Sequence, residues 1–147
     1  MTILDKIKTE IVKAMKAKDT ARLTTLRMVS AEITKESQKK GQVGPLTSDQ
    51  ELAVLSREIK SRQDEIEVYA SVGNDTKVLD LNAEIAIIDE FRPKQASDDE
   101  IIDVIRTTMA DTGIDKAGPL TGKVMGQLKG KADGRRVKAL IEKVLAL

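Results

Sequence analysis

Six cations stand close together near the carboxyl end of this sequence, interspersed with glycines. They are Lys123, Lys129, Lys131, Arg135, Arg136 and Lys138. From Lys116 onward the chain has eight basic residues and two acidic ones. A cluster of this kind suits the phosphate backbone of a nucleic acid. The charge pattern alone is equally consistent with a solvated basic face that only balances acidic residues elsewhere.

The segment from Gly118 to Val124 partly matches the loop that binds nucleotide phosphates in P-loop proteins. That loop needs two glycines separated by four residues, followed by Lys and then by a Ser or Thr that binds Mg²⁺. Here only three residues separate Gly118 from Gly122, and Val124 takes the place of the hydroxyl. No apolar strand precedes the segment. We therefore interpret it as a turn that leads into a helix, in which the small glycines permit close packing.

The composition excludes most familiar catalytic and metal centres. The 147 residues include no Cys and no His, which removes thiolate nucleophiles, disulfides and the commonest metal ligand. The acidic pairs Asp64-Glu65 and Asp89-Glu90 form no chelate, because adjacent residues on a helix point about 100° apart. One Tyr and one Phe, with no Trp, provide no platform for stacking single-stranded bases. We expect no catalytic residue, cofactor or metal.

The elements that must position the cations are helices, because apolar residues recur every three or four positions along almost the whole chain. Residues 1–92 contain four such segments. Their predicted starts are Thr2, Asp19, a capping box of Ser48 and Glu51, and either Asn74 or Asp75. Their predicted ends are Lys18, Gly41, Gly73 and the residues before Pro93. Short connections between them imply an antiparallel four-helix bundle.

Residues 93–96 are interpreted as a hinge to a second domain, residues 97–147. A capping box of Ser97 and Glu100 starts its first helix, which ends at Gly113. A short helix from Leu120 to about Leu128 and a last one capped by Asp133 complete it. The predicted fold class is all-α, an N-terminal antiparallel four-helix domain followed by a small three-helix domain. Such a small domain buries little surface on its own.

Arg62 interrupts the apolar stripe of the third helix and needs an explanation. It either pairs with a carboxylate of the bundle, for which Glu36 and Glu84 are candidates, or lines an exposed groove. We favour pairing, because a buried unpaired charge is expensive. The same choice applies to Arg22 and Arg27.

The first residues carry no targeting signal that the sequence reveals. The chain is charged from Asp5 onward and lacks the apolar segment of a signal peptide. No apolar run approaches the ~18 to 20 residues that span a bilayer. We therefore expect a soluble, cytoplasmic protein with no membrane partner.

Three segments together resemble the GatB/YqeY domain family, and the resemblance covers essentially the whole chain. They are Ala14 to Met28, Glu90 to Ile101 and Gly122 to Val137, of which the last is the most specific. Two features depart from the family pattern. Arg92 stands where the family usually has Leu before the proline, and the stretch between Gly126 and Lys129 is a few residues shorter.

The resemblance implies the same arrangement of four helices followed by three, and it implies a functional neighbourhood. The module forms the C-terminal tail of the B subunit of glutamine-dependent aminoacyl-tRNA amidotransferase, and it is similar to an appendage of some glutaminyl-tRNA synthetases. In those settings the tail helps to hold tRNA, with the small domain against the nucleic acid. By association the family is classed with carbon–nitrogen ligases that use glutamine as amido donor. The large catalytic core of the amidotransferase subunit has no counterpart in this sequence.

Three hypotheses follow. The leading one is a free-standing tRNA-binding accessory module, whose six cations contact the phosphates of structured RNA. The alternative is a helical interaction domain that docks on an amidotransferase, an aminoacyl-tRNA synthetase or another partner. The third, an amidotransferase in its own right, is disfavoured, because no Cys can serve as nucleophile and no Ser lies in a recognisable Ser–Lys or Gly-Ser setting. The sequence leaves the oligomeric state open.

Overall fold

The computed structural model describes residues 1–146; Leu147, the last residue of the predicted second domain, lies outside them. The described residues form seven α-helices and no strand, which confirms the predicted all-α class. The helices are α1 (Ile3–Ala17), α2 (Thr20–Ser37), α3 (Ser48–Ser71), α4 (Asp75–Asp89), α5 (Asp98–Thr112), α6 (Ala117–Leu128) and α7 (Gly134–Leu145). Among residues 1–146, no helix combines the length and the apolar composition needed to cross a membrane.

The chain divides into two compact units, Met1–Arg92 and Pro93–Leu147, called here the first and the second unit. In the first unit, α1 packs against α2 and α3 against α4, while α2 also contacts α3 and α4. Its core is aliphatic, because the composition offers almost no aromatic residues. The buried core residues are Ile7, Ala14, Leu26, Val29, Ile33, Val54, Leu55, Ile59 and Ile88.

Side-chain caps fix the starts of α2 and α4. Asp19 and Asn74 each accept a hydrogen bond from the backbone N–H three residues later, at 3.2 Å, so Asp19 is confirmed as an N-cap and Asn74 rather than Asp75 caps α4. The end of α2 differs from the prediction. The helix stops at Ser37 rather than at Gly41, because the exposed polar residues that follow have no apolar face to bury.

The capping box at the start of α3 is formed by Thr47 and Gln50, so the prediction of Ser48 and Glu51 is wrong. The Thr47 hydroxyl accepts from the N–H of Gln50 at 3.2 Å, and the Gln50 side-chain oxygen accepts from the N–H of Thr47 at 2.8 Å. Glu51 is directed elsewhere. Its carboxylate is buried and accepts hydrogen bonds from the first backbone N–H groups of α1.

Arg62 is paired, as its position on an apolar stripe predicts. Its side chain is only 6% exposed, and Nε donates to the carboxylate of Glu84 at 3.2 Å. Nη1 donates to the backbone carbonyl of Glu58 at 3.1 Å and lies 3.4 Å from its carboxylate. Arg22 also forms ion pairs with two carboxylates of the first unit. Pairing is therefore confirmed at Arg62 and Arg22, whereas Arg27 is exposed and forms no ion pair within residues 1–146.

In the second unit, α6 packs against α5 and α7, and α5 also contacts α7. Ser97 caps α5 by accepting from the N–H of Glu100 at 3.2 Å, but within residues 1–146 the Glu100 side chain forms no return bond, so the predicted capping box is only half right. Gly113 ends the helix with φ 70°, as predicted. α6 begins at Ala117, three residues before the predicted start. The buried core residues are Ala96, Ile101, Ile105, Leu120, Val124, Leu128, Ala132, Val137, Leu140 and Ile141.

Candidate nucleic-acid interface

The turn between α6 and α7 carries two of the predicted contact residues. Lys129 ends α6 in the left-handed region, at φ 45° and ψ 57°, and its N–H donates to the carbonyl of Met125 at 3.2 Å. A residue with a Cβ pays about 1 to 2 kcal/mol for this conformation. Gly130 follows at φ 81° without that cost, since it has no Cβ. The two residues redirect the chain, and α7 starts at Gly134.

The turn is anchored through its backbone by the residues that precede α5. The N–H of Ala96 donates to the carbonyl of Lys131 at 2.7 Å, and the side-chain amide of Gln95 donates to the carbonyl of Gly130 at 3.1 Å. Ala132 is 3% exposed and packs into the core of the second unit. The side chain of Lys131, next to it, is exposed. The side chains of Lys129 and Lys131 thus project into solvent from a backbone that these hydrogen bonds hold in place. Part of the segment interpreted as a hinge supplies this anchor.

Four of the six predicted cations fall in one stretch of the sequence, residues 129–136, called here the basic segment. Two lie on the turn and two in the first turn of α7, after the N-cap position at Asp133. Lys123 lies on the exposed side of α6, six residues before the turn, or about 9 Å along the helix axis. The members of the basic segment are Lys129, Lys131, Arg135 and Arg136.

The sixth cation, Lys138, does not share a face with Arg136. Two positions along an α-helix correspond to about 200° of rotation, so the two side chains leave α7 on opposite flanks. Val137, between them, is fully buried and marks the side of α7 that faces the core. The two side chains therefore lie on either side of the solvent-facing surface of α7.

Arg136 forms an ion pair that the sequence did not reveal. Its Nε and Nη2 donate to the same oxygen, Oδ1 of Asp98, at 2.9 and 2.7 Å. The Arg136 side chain is 35% exposed and that of Asp98 is 64% exposed. Asp98 lies in the first turn of α5, where sequence reasoning saw only an acid that favours a helix start. The separation of 38 residues leaves no local pattern from which the pair could be predicted.

The lysines of the candidate interface differ from Arg136. Lys123, Lys129, Lys131 and Lys138 are exposed, and within residues 1–146 none of them forms an ion pair. The start of α7 adds a favourable field, since the helix dipole places partial positive charge there. Asp133 holds the predicted N-cap position, yet its side chain makes no capping hydrogen bond to the helix, so the prediction is only half right.

The glycines of α6 do not serve the purpose that the sequence suggested. Gly118 to Val124 is part of a regular helix and not a phosphate-binding loop. A Cβ added at Gly118 or Gly122 would meet no atom within 4 Å, so the expectation that these glycines permit close packing is wrong. They lie on the exposed side of α6, away from the core residues Leu120 and Val124. Among residues 1–146, no group of three acidic side chains could hold a metal ion.

Comparison with known proteins agrees with the pattern of segments noted in the sequence. A protein of Pyrenophora tritici-repentis (strain Pt-1C-BFP), altered inheritance of mitochondria protein 41, mitochondrial, is 25% identical over 149 residues. That alignment covers 97% of this chain and 81% of the fungal protein. The family model described as Yqey-like protein matches residues 4–145. The chain therefore belongs to the YqeY-like family, which is the GatB/YqeY domain family.

Proposed function

We propose that this protein is a free-standing accessory module that binds tRNA through its phosphates. The observation that carries the proposal is the basic segment, whose lysines stand exposed on a turn that the side chain of Gln95 and the backbone of Ala96 hold in place. A fixed turn limits the backbone entropy that is lost on binding, and exposed lysines can release counterions from an RNA backbone.

The absence of aromatic residues from the second unit favours folded RNA over single strands. The two aromatic residues of the chain, Tyr69 and Phe91, both belong to the first unit. Single-stranded bases are usually held by stacking on aromatic side chains. Double-helical RNA is instead recognised by its shape, its phosphates and its 2′-hydroxyls, which requires no stacking platform.

The link to tRNA-dependent amidation is supported by family membership. The module resembles the tail of the amidotransferase B subunit, whose substrates are misacylated tRNAs. Glutamine hydrolysis is not part of the proposal, because the chain has no Cys to serve as the glutaminase nucleophile. The protein would present or retain tRNA for an amidotransferase or an aminoacyl-tRNA synthetase.

The test is binding of bulk tRNA, followed by fluorescence anisotropy over a salt series from about 50 to 200 mM, where counterion release changes affinity steeply. The variant Lys129→Glu, Lys131→Glu is compared with Lys8→Glu, Lys40→Glu. Both pairs of lysines are exposed, and both variants change the net charge equally. Circular dichroism establishes that each variant keeps its helices.

We expect tRNA binding that weakens with salt and exceeds binding to double-stranded DNA. The slope of log affinity against log salt is negative. Reversal at Lys129 and Lys131 should make it shallower by about two, since about 0.9 counterions are released per phosphate contact. The control reversal at Lys8 and Lys40 should change the slope less. Equal effects of the two variants, or no preference for tRNA over DNA, would overturn the proposal.

One observation favours a second candidate, docking on a protein partner. Val68 near the end of α3, Val72 directly after it and Leu79 on α4 are 63%, 72% and 70% exposed. Exposed apolar surface is a feature of protein interfaces. Co-purification with an amidotransferase or synthetase that survives ribonuclease and is lost in Val72→Ser, Leu79→Ser would support this function. Retention of the partner by that variant would exclude this surface.

A further inference from the structure

Asp98 occupies the side of Arg136 that a phosphate would use. The guanidinium presents Nε and Nη2 along one edge, and both donate to a single carboxylate oxygen of Asp98. Arginine binds phosphate through the same kind of parallel N–H donors. An RNA phosphate and the Asp98 carboxylate are therefore alternative partners for this edge of Arg136.

The exposure of the pair allows such an exchange. The Asp98 side chain is 64% exposed and that of Arg136 is 35% exposed, so water and ions reach both groups. Ion pairs in this setting add little to stability, because water screens both charges. The carboxylate can thus be displaced by a phosphate, and Asp98 would then lie beside that phosphate with a like charge.

We infer that Asp98 is an internal competitor of RNA at Arg136 and lowers the affinity of the candidate interface. The inference rests on the proposed function, because it concerns the same surface. The carboxylate lies at the start of α5, within the second unit, so competition requires no movement of a distant segment. Asp98 also lowers the net number of counterions released on binding. When Arg136 leaves the Asp98 carboxylate to bind RNA, that carboxylate attracts a cation from solution.

The chain offers a matched control in Asp99. Asp98 and Asp99 are adjacent, both exposed, and both lie in the acidic first turn of α5. Replacing either by Asn removes one negative charge from the same place and weakens the same favourable interaction with the helix dipole. Only Asp98 is bonded to Arg136. The difference between Asp98→Asn and Asp99→Asn therefore isolates the competition from the general change in charge.

The experiment measures the affinity of the full chain for bulk tRNA at constant salt. Four variants are compared with the parent: Asp98→Asn, Asp99→Asn, Arg136→Gln, and the double variant Asp98→Asn, Arg136→Gln. We expect Asp98→Asn to bind about two- to fivefold more tightly than Asp99→Asn, as removal of an exposed ion pair allows. The salt dependence should steepen by about one phosphate contact. In the Arg136→Gln background the extra gain should disappear.

Each outcome bears on the inference. If the parent binds and the two Asn variants bind equally, or Asp98→Asn gains as much affinity in the Arg136→Gln background as in the parent, the inference is overturned while the proposed function stands. If the parent does not bind but Asp98→Asn does, the inference is supported and the proposed function fails for the unmodified protein. If no variant binds tRNA, both are overturned. Circular dichroism of the two Asn variants establishes that α5 is equally formed in each.

Discussion

The carboxylate of Glu51, near the start of α3, accepts a hydrogen bond from the backbone N–H of Leu4 at 2.9 Å. The N–H of Ile3 lies 3.4 Å from its other oxygen. Thr2 caps the next free N–H of α1, that of Asp5, at 3.0 Å. The start of α1 is therefore satisfied partly by its own residues and partly by a side chain 47 positions away. A buried negative charge at this site is stabilised by the helix dipole.

Replacing Glu51 should destabilise the first unit. Glu51→Gln removes the charge and directs amide hydrogens toward backbone N–H groups, so we expect the free energy of unfolding to fall by about 1 to 3 kcal/mol. Urea denaturation measures it. Asp49→Asn changes an exposed acid in the same first turn of α3, and it should lower the free energy of unfolding by less than Glu51→Gln does. Equal losses in the two variants would contradict a capping role for Glu51.

The ion pairs of Arg62 should show a characteristic asymmetry. Arg62→Met removes the buried charge and keeps much of the side-chain volume, so we expect a nearly neutral effect. Glu58→Gln, Glu84→Gln leaves Arg62, 6% exposed, without a carboxylate, and should cost about 3 to 5 kcal/mol. Chemical denaturation of both variants provides the comparison. A larger loss for Arg62→Met would show that the arginine itself is the stabilising element.

Two glycines should respond in opposite directions to the same substitution. Gly122 is helical and has open space where a Cβ would stand, so Gly122→Ala should raise the free energy of unfolding by about 1 kcal/mol. Gly113 ends α5 at φ 70°, where a Cβ costs about 1 to 2 kcal/mol, so Gly113→Ala should lower it. Thermal unfolding measures both. Destabilisation by Gly122→Ala would reveal a contact that the second unit needs at this position.

Stability should decline in acid through the exposed ion pairs of the first unit. A hydrogen bond from Lys39, and the charge of nearby Arg57, hold the pKa of Glu36 below its ordinary value of 4.5. Hydrogen bonds from Lys13 and then Arg22 lower the pKa of Glu10 in the same way. Both carboxylates bind protons more weakly in the folded chain than in the unfolded one. Their contribution is therefore present above pH 4.5 and is lost as the pH falls through the lowered pKa values.

Glu36→Gln tests this dependence. The free energy of unfolding, measured by urea denaturation at a series of pH values, should fall less steeply below pH 4.5 in the variant than in the parent. Glu65→Gln serves as the control, because Glu65 is exposed and forms no ion pair within residues 1–146. A parallel decline in Glu36→Gln and the parent would show that the pairs of Glu36 add nothing to stability.

Much of the fold could be predicted because its signals are local. Asp19, Asn74, Ser97 and Gly113 act within three or four residues of where they stand, and the structure confirms each of them. The error at α3 has a different origin. Thr47 and Gln50 have the same spacing one residue earlier, and the Glu51 carboxylate is bonded instead to the start of α1, which no local pattern shows.

The candidate interface was predictable as a charge cluster but not as a geometry. The sequence places the cations of the basic segment together, since eight consecutive residues include all four. Two contacts that shape it join distant positions: Asp98 with Arg136, and Ala96 with Lys131. The opposite flanks taken by Arg136 and Lys138 follow from helical rotation, but only once the start of α7 is known.

The anchoring of the turn by Gln95 and Ala96 sets where insertions and deletions can be accepted. Adding or removing a residue between Gly130 and Ala132 would shift two bonded carbonyls and a buried side chain out of register together. Gly126 and Gln127 lie within α6, where an added residue would rotate the buried Leu128 and everything after it by about 100°. A change of chain length on either side of Lys129 would therefore displace the lysines of the turn from their present positions.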